Sequence, residues 1–190
     1  MTVEIPRARL TADERKEAIL EAARPVFGAR GYHSTTTREI AAAAGVSEAL
    51  LYQHFPGKSE LFMEVVDRCA RDLEARLAAA YTGPDPLGSA VRSYFDFVAA
   101  EADLYRIFFR QALQEDAFQR LYSAYSEHLL RLFREGLGLD RSPATEVLGR
   151  ALAGMVAELA LWWVEERRLD RGEVVEQAVR LARAMQTAEV

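Results

Sequence analysis

Helix-start patterns recur along the whole chain, whereas no segment shows the long alternating Val, Ile and Thr runs of a β-strand. Residues 11–14 and 36–39 each form a capping box, in which a Thr hydroxyl and a Glu carboxylate bind the first free amides of a helix. Ser47 is a further N-cap residue, and Asp85 and Ser142 each precede a proline that suits the first helical turn. The sequence therefore predicts an all-α fold.

The spacing of apolar residues between these caps predicts about nine helices. The first runs from residue 12 to the helix-ending Gly31, with a bend or a weak last turn at Pro25. Gly45 can adopt the left-handed conformation that ends the second helix. The remaining predicted bounds are 36–44, 47–55, 58–80, 86–100, 103–113, 115–136, 143–167 and 170–187.

Composition and motifs narrow the class of protein. The chain has 190 residues, of which 50% are hydrophobic, enough for a substantial core. Cys69 is the only cysteine, so no disulfide can form within the chain. The N-terminus lacks the apolar region of a signal peptide, and the longest apolar run, 151–164, is interrupted by Glu158 and is short for a bilayer. We therefore expect a cytoplasmic protein with no membrane partner.

No pattern in the sequence indicates catalysis or metal binding. The chain lacks a P-loop, GxSxG, GxGxxG, HExxH and paired cysteines. We therefore expect neither an enzyme nor a metal site or cofactor. Net charge is −5, yet residues 1–60 carry eight Lys and Arg against eight Asp and Glu, so the excess acid lies in residues 61–190. A nucleic-acid partner needs only a local basic face, and this distribution leaves room for one near the N-terminus.

Residues 36–55 have the pattern of a helix-turn-helix, in which the second helix enters the DNA major groove. By themselves, the caps and turn would equally suit two short core helices. The longer run FGARGYHSTTTREIAAAAGVSEALLYQHFPGKSELF, residues 27–62, contains F-x-x-x-G-Y, T-T-x-R-x-I-A, A-G-V-S, L-Y-x-H-F and K-x-x-L-F in order. This series resembles the TetR family of bacterial transcriptional regulators over about the first third of the chain.

The resemblance implies DNA-contacting roles for ten residues. Arg38 is implied to lie at the groove edge. The residues implied to bind phosphate are Thr36, Thr37, Tyr52, His54 and Lys58. Those that open the recognition helix are Ser47, Glu48, Ala49 and Leu50. Tyr52 could instead be a core residue and His54 an ordinary surface residue. A phosphate near residue 58 would explain a lysine at a helix start, where the helix dipole favours anions.

The start of the recognition helix departs from the family pattern. Many members have GVSKGTLY where this chain has GVSEALLY, so Glu48, Ala49 and Leu50 replace basic or small polar residues. Glutamate can accept from cytosine N4, and Ala or Leu can contact a thymine methyl group. We expect little direct base readout, with more weight on Arg38, Ser47 and DNA shape.

Apolar stripes in residues 91–133 are most often plain core, but in the family the same helices enclose a ligand cavity with few polar anchors. The aromatic and aliphatic residues of these stripes favour a hydrophobic small-molecule effector, such as an acyl thioester, a fatty acid or a flat aromatic. The stripe in the sixth helix includes Leu113. The candidate lining residues are Phe95, Phe108, Tyr122, Tyr125, Leu159 and Trp162. A regulator without a ligand, its cavity filled by its own aromatic rings, is the alternative.

The last two helices, about 143–187, are apolar on most sides, which one chain alone cannot cover. A small-residue stripe, Gly149, Ala153, Ala157 and Ala160, lies in the first of them. We expect a homodimer through a four-helix bundle. The prediction is a DNA-binding domain at 1–56 and a ligand-binding and dimerisation domain at 57–190. As a whole, the chain is expected to be a repressor that binds a palindromic operator as a dimer and is released by ligand. A helical enzyme or binding module with an incidental helix-turn-helix is a third hypothesis.

Overall fold

The computed structural model describes residues 11–112 and 116–187, and within these the chain forms nine α-helices and no strand. The prediction of an all-α fold with about nine helices is confirmed. The helices are α1 Ala12–Arg30, α2 Thr37–Ala43, α3 Glu48–His54, α4 Lys58–Tyr81, α5 Pro86–Ala100, α6 Ala102–Ala112, α7 Asp116–Gly136, α8 Pro143–Glu166 and α9 Arg171–Thr187. Leu113 and the end predicted for the sixth helix lie outside the described residues.

The predicted caps account for where the helices begin and end. Both capping boxes form, with the Thr11 and Thr36 hydroxyls accepting from amides three residues on. Gly31 and Gly45 have φ angles of 79° and 66°, the left-handed region that glycine adopts without a steric cost. Helix α1 continues through Pro25 to Arg30, so the proline does not end it.

The chain divides into two compact units, and the boundary falls between Val65 and Val66, inside α4. The predicted boundary at residue 56 lies earlier, at the start of this helix. In the first unit α1, α2, α3 and the first turns of α4 enclose a core that includes Phe27, Ile40, Leu51 and Phe55. Its rings pack edge to face, with the Phe27 and Phe62 centroids 5.0 Å apart.

The second unit is a helical bundle with one large apolar core. Helix α5 lies at its centre, with Phe95 and Val98 fully buried, and α8 and α9 cover it with Ala160 and Ala178. Leu73 and Leu77 contribute the apolar side of α4. These residues recur at the three- and four-residue spacing from which the helices were predicted.

The small-residue stripe of α8 faces inward. Leu130 of α7 occupies the space that a Cβ at Gly149 would need, 2.6 Å away, and Ala160 is fully buried. Ala153 and Ala157 line a cavity within the unit. The stripe therefore lets α7 approach α8.

The outward side of α8 is exposed and partly apolar. Val147 is 68% exposed and Trp162 40%, and Ala151 and Gly154 between them are also exposed. By length and composition alone α8 could cross a membrane, since an 18-residue window has a mean hydropathy of 1.5 and is 33% buried. The helix is longer than the apolar run at 151–164, which corrects the expectation that no segment is long enough. Core helices of other proteins pass the same test.

Asp85 links α5 to α9. Its side chain caps α5 through the Gly88 amide and accepts hydrogen bonds from Arg92 and, at 2.8 Å, from Arg183. The Arg183 hydrogen bond, followed by those from Arg92 and Gly88, holds the pKa of this carboxyl below its usual range.

We expect Asp85→Asn, which keeps the cap but removes the charge, to lower the Tm of the second unit by about 1–3 °C near neutral pH. Because the pKa is depressed in the folded state, the carboxylate stabilises the fold above its unfolded pKa. The difference from wild type should therefore shrink as pH falls below about 4. Thermal unfolding followed by circular dichroism across pH 3–7 measures it. Asp72→Asn, in an exposed pair with Arg76, is the control. A difference that is constant across this pH range would contradict the assignment.

Candidate nucleic-acid interface and ligand cavity

Helices α2 and α3 form a compact helix-turn-helix. The amide of Val46 donates to the Ala41 carbonyl, which closes the turn, and the Ser47 hydroxyl accepts from the Leu50 amide to begin α3. Leu51 is fully buried under the turn, so the opposite side of α3 faces outward. A short helix anchored by one buried leucine presents its remaining side chains to solvent, as a recognition helix requires.

A hydrogen-bonded chain of three side chains connects α3 to α2. The Thr37 hydroxyl donates to Glu48 Oε1 at 2.6 Å, and its oxygen lies 3.1 Å from the Tyr52 hydroxyl. Since a carboxylate only accepts and the single hydrogen of Thr37 goes to Glu48, Tyr52 must donate to Thr37. Glu48 and Tyr52 are four residues apart, on one side of α3. Tyr52 is 49% exposed and is therefore not a core residue.

Thr36 is engaged in its own capping box. Its hydroxyl oxygen accepts from the Glu39 amide and lies 2.9 Å from Glu39 Oε2, to which it can donate. The hydrogen bond from the Thr36 backbone amide, followed by that from its hydroxyl, lowers the pKa of Glu39. Arg30 forms an ion pair with the same carboxylate. This cluster fixes the start of α2, the first helix of the helix-turn-helix.

The structure places the ten predicted DNA-contacting residues in α2, in α3, at the N-caps of these two helices and at the start of α4. Those that are exposed are Thr36, Arg38, Ser47, Ala49 and Tyr52, and those that are partly buried are Thr37, Glu48, Leu50, His54 and Lys58. None lies in the buried core. Their contacts with DNA remain predictions.

Lys58 has an internal role at the start of α4. Its ammonium donates to the carbonyl oxygens of Tyr32, His33 and Thr35, at 2.9, 3.3 and 2.9 Å, and lies 4.6 Å from the centre of the Tyr32 ring. These three carbonyls, in the loop between α1 and α2, use all three donors of the lysine. They explain a cation at this helix start without a phosphate, whose binding there remains a prediction.

We expect Lys58→Met to lower the free energy of unfolding of the first unit by about 1–3 kcal/mol, because three carbonyls lose a charged donor. Lys58→Arg keeps the charge, but a planar guanidinium does not reproduce the compact three-donor geometry, so it should also destabilise. Chemical denaturation measures both. If Lys58 served only a phosphate, Lys58→Arg would leave stability unchanged, and Lys58→Met would change only the salt dependence of DNA binding.

A cavity of about 320 Å³ lies in the second unit and is lined by residues of α4, α5, α6, α7 and α8 and by Ala182 of α9. Its wall along α4 extends from Val66 to Tyr81, and most of its surface is apolar. Three of the six predicted ligand-contacting residues line it, namely Phe108, Tyr122 and Tyr125.

The other three predicted ligand residues lie elsewhere. Phe95 is fully buried in the α5 core and does not reach the cavity wall. Leu159 and Trp162 line a separate surface cleft with Leu169 and Leu181, between α8 and α9. These three residues therefore do not line the cavity, and their contact with a ligand stays a prediction. Periodicity identifies the apolar sides of a helix but does not show which of two neighbouring apolar spaces a side chain enters.

Two tyrosines that were not predicted supply polar groups to the cavity wall. Tyr105 donates to the Ala157 carbonyl at 3.1 Å, and its hydroxyl lies 2.8 Å from that of Tyr94, which is therefore the donor to Tyr105. Burial raises the pKa of both hydroxyls, so they stay neutral. Among the described lining residues, the charged ones are the buried Glu101 and the more exposed Arg150.

Arg150 pairs with Glu127 of α7 and Glu146 of α8. The hydrogen bond to Glu127, followed by its charge and by Glu146, raises the pKa of the guanidinium. A second polar contact lies on the opposite side of α7, where Tyr125 donates to Asp67 Oδ1 of α4 at 2.7 Å. Burial and this hydrogen bond raise the pKa of Tyr125. One cavity-lining residue is therefore bonded directly to α4.

The lining of α4 also escaped prediction, although its spacing could have indicated it. Val66, Ala70, Leu73, Leu77 and Tyr81 recur every three or four residues along one side of the helix and all line the cavity. In the part of the chain that the structure covers, no group of three or more His, Cys, Asp or Glu residues is placed to hold a metal ion.

Comparison with known proteins agrees with this architecture. The model of "Bacterial regulatory proteins, tetR family" matches residues 19–65, and that of "Tetracyclin repressor-like, C-terminal domain" matches residues 85–185. The HTH-type transcriptional activator FasR of Mycolicibacterium smegmatis is 31% identical over 183 residues, 92% of this chain and 84% of the relative. The transcriptional repressor BepR of Brucella suis is 39% identical over 83 residues, 43% of this chain and 40% of the relative.

Solved structures show the same fold. A TetR-family transcriptional regulator from Streptomyces coelicolor superposes with a TM-score of 0.81 at 25% identity, covering 94% of this chain and 83% of the other. A TetR-like regulator from Rhodococcus sp. RHA1 gives 0.73 at 27% identity, covering 92% and 96%. Matches to both units, together with a relative aligned over most of its length, lead to one conclusion. The chain belongs to the TetR family of bacterial transcriptional regulators.

Proposed function

We propose that this protein is a ligand-responsive, cytoplasmic DNA-binding regulator that binds a palindromic operator as a homodimer. The observation that carries the ligand response is the apolar cavity of about 320 Å³ in the second unit. This volume falls within the range of small-molecule sites, and its apolar wall with few polar groups is typical of them. A regulator whose own aromatic rings fill this space, the ligand-free alternative, would not have such a cavity.

The shape of the cavity favours an extended apolar effector. Its wall follows α4 from Val66 to Tyr81, fifteen residue steps, which correspond to about 22 Å of helix. An extended molecule can contact lining residues along this whole length, whereas a flat aromatic molecule is shorter. We therefore favour an acyl chain over a flat aromatic molecule.

The proposed mechanism acts through α4, which belongs to both units. An effector that displaces Tyr125 would break its hydrogen bond to Asp67 and so bias α4 towards a second position. The two positions would differ in the separation of the two DNA-binding units in a dimer. By linkage, if the effector lowers the affinity of the protein for operator DNA by some factor, operator DNA lowers its affinity for the effector by the same factor.

We propose repression with release by ligand as the first candidate for the direction of control. Activation is the second, because the 31%-identical relative FasR is an activator. Transcription in vitro from a promoter that contains the selected operator distinguishes them. A repressor lowers transcript yield when it binds, whereas an activator raises it.

Selection of duplexes from a random library, followed by fluorescence anisotropy, tests DNA binding. We expect a palindromic consensus and affinity at least about a thousandfold above that for scrambled DNA. Titration of long-chain acyl thioesters and free fatty acids should then lower operator affinity. Recovery of no preferred sequence would overturn the DNA-binding proposal. A preferred sequence whose affinity no apolar compound changes, with no small molecule in the native mass spectrum, would support the ligand-free alternative.

A further inference from the structure

Glu48 is the residue of the DNA-facing surface whose chemistry is least suited to DNA. It opens α3, the predicted recognition helix, and carries a negative charge where a polyanion is expected to bind. Its carboxylate is also engaged, because it accepts from Thr37 at 2.6 Å. A short hydrogen bond to a carboxylate is about twice as strong as one between neutral groups.

The same contact occupies two hydroxyls that were predicted to bind phosphate. Tyr52 donates to Thr37 and Thr37 donates to Glu48, so each hydroxyl has given its only hydrogen to a neighbour within the protein. Neither can donate to a phosphate oxygen until this chain is broken. Binding DNA through these groups therefore costs the loss of a charge-assisted hydrogen bond and brings a carboxylate close to phosphates.

We infer that Glu48 is a latch that lowers the affinity of the protein for DNA in general, by withholding the Thr37 and Tyr52 hydroxyls and by repelling phosphates. The inference rests on the proposed function in taking α2 and α3 as the DNA-facing surface. In this role the Glu48 carboxylate accepts from Thr37, and not from cytosine N4 as the sequence-based prediction allowed. Because such a latch acts on DNA of every sequence alike, it lowers non-specific binding without contributing to operator specificity.

Two substitutions separate the charge from the hydrogen bond. Glu48→Gln removes the charge but keeps an oxygen that can accept from Thr37, whereas Glu48→Ala removes both. We expect affinity for scrambled duplex to rise about threefold in Glu48→Gln and about tenfold in Glu48→Ala. Affinity for the selected operator should rise by the same factors, which leaves the ratio between the two duplexes within about twofold of wild type.

Thr37→Val supplies the second arm, since it removes the hydroxyl through which the latch acts. In this background the gain from Glu48→Ala should fall to that of Glu48→Gln, because only the charge effect remains. Asp72→Asn changes net charge equally at an exposed site in the second unit and should leave both affinities unchanged. Anisotropy at fixed salt concentration, with circular dichroism to confirm that each variant is folded, measures all of these.

The results that would overturn the latch differ from those that would overturn the proposed function. Equal gains in Glu48→Gln and Glu48→Ala, or a Glu48→Ala gain that persists with Thr37→Val, would reduce Glu48 to a simple repulsive charge. Loss of operator affinity without a change on scrambled duplex would identify a base-reading or purely structural carboxylate. Failure of the wild-type protein to prefer any sequence would count against the proposed function, while the scrambled-duplex comparison would still test the latch.

Discussion

The double variant Trp162→Glu, Leu181→Glu is expected to be a monomer where the wild-type protein is a dimer, and to bind its operator at least about a hundredfold more weakly. Both side chains are large, apolar and exposed, at 40% and 49%, and both line the cleft between α8 and α9. Apolar groups of this size at the centre of an interface contribute much of its stability. Two or more glutamates brought together by a two-fold axis would repel one another in addition.

The large effect on DNA binding follows because a dimer carries two DNA-binding units that are physically joined. When one head occupies its half-site, the second binds at a high local concentration, and avidity can exceed the affinity of one head by about 10²–10⁴. A monomer loses this gain without any change to α2 or α3. The loss should therefore be much smaller on a duplex that contains only one half-site.

Sedimentation velocity at micromolar concentration and anisotropy on full and half operators measure these outcomes. Ala75→Glu together with Ala78→Glu, both at exposed positions of α4, adds the same two charges outside the cleft and should remain dimeric. A double variant that sediments as a dimer would show that the interface lies on another surface. A wild-type protein that is already monomeric would refute the proposed dimer altogether.

The fold was largely predictable because its determinants are local in sequence. The two capping boxes, Gly31 and the proline after Ser142 each act within a few residues, and each marks a helix end that the structure confirms. Where a predicted bound departs from that of a described helix, as at the start of α6 and the ends of α4 and α8, the two differ by one residue. Helix ends commonly vary by this amount.

The site was less predictable because its contacts join residues distant in sequence. Sequence alone indicated that Glu48 and Thr37 lie near DNA, but the hydrogen bond between them spans eleven residues and depends on the angle between α2 and α3. Lys58 was likewise assigned to phosphate from its position at a helix start. The carbonyls that it meets lie 23 to 26 residues earlier, and no residue type in a sequence shows which carbonyl oxygens will face a distant lysine.

The cavity shows the same limit. Helical periodicity gives the apolar sides of α8, yet it does not show that Ala153 lines the cavity whereas Leu159 and Trp162 line the cleft between α8 and α9. An α-helix that is apolar on most sides carries no local information about which side meets its own chain and which remains exposed. Only the packing of α7 on Gly149 decides this.

Filling the cavity is expected to abolish the effector response while leaving operator binding intact. Cys69 on α4 and Ser126 on α7 are partly buried, small and in the cavity wall. Phenylalanine at both positions adds two rings, which would occupy roughly half of the available space in a close-packed interior. The remaining space would be too small for an extended apolar ligand, and we expect the affinity of the protein for such a ligand to fall at least about fiftyfold.

The DNA-binding unit is not altered by these changes, so operator affinity without effector should stay within about threefold of wild type. Cys69→Ser and Ser126→Ala alter the same positions without adding volume and should keep the response. Overpacking can cost about 1–3 kcal/mol, so each single phenylalanine variant is measured as well. Each single variant should bind the effector more weakly than wild type, but by a smaller factor than the double variant. The circular dichroism spectrum and operator affinity of each should remain those of wild type.

Tyr125→Phe provides the decisive contrast, since it keeps the ring in the cavity wall but removes the hydrogen bond to Asp67 on α4. The effector should still bind, yet the factor by which it changes operator affinity should fall, and the factor by which operator changes effector affinity should fall equally. Calorimetry with and without operator measures both sides of this equality. A filled cavity that still responded to effector would place the ligand elsewhere. A Tyr125→Phe variant with unchanged coupling would show that occupancy of the cavity reaches α4 by another contact.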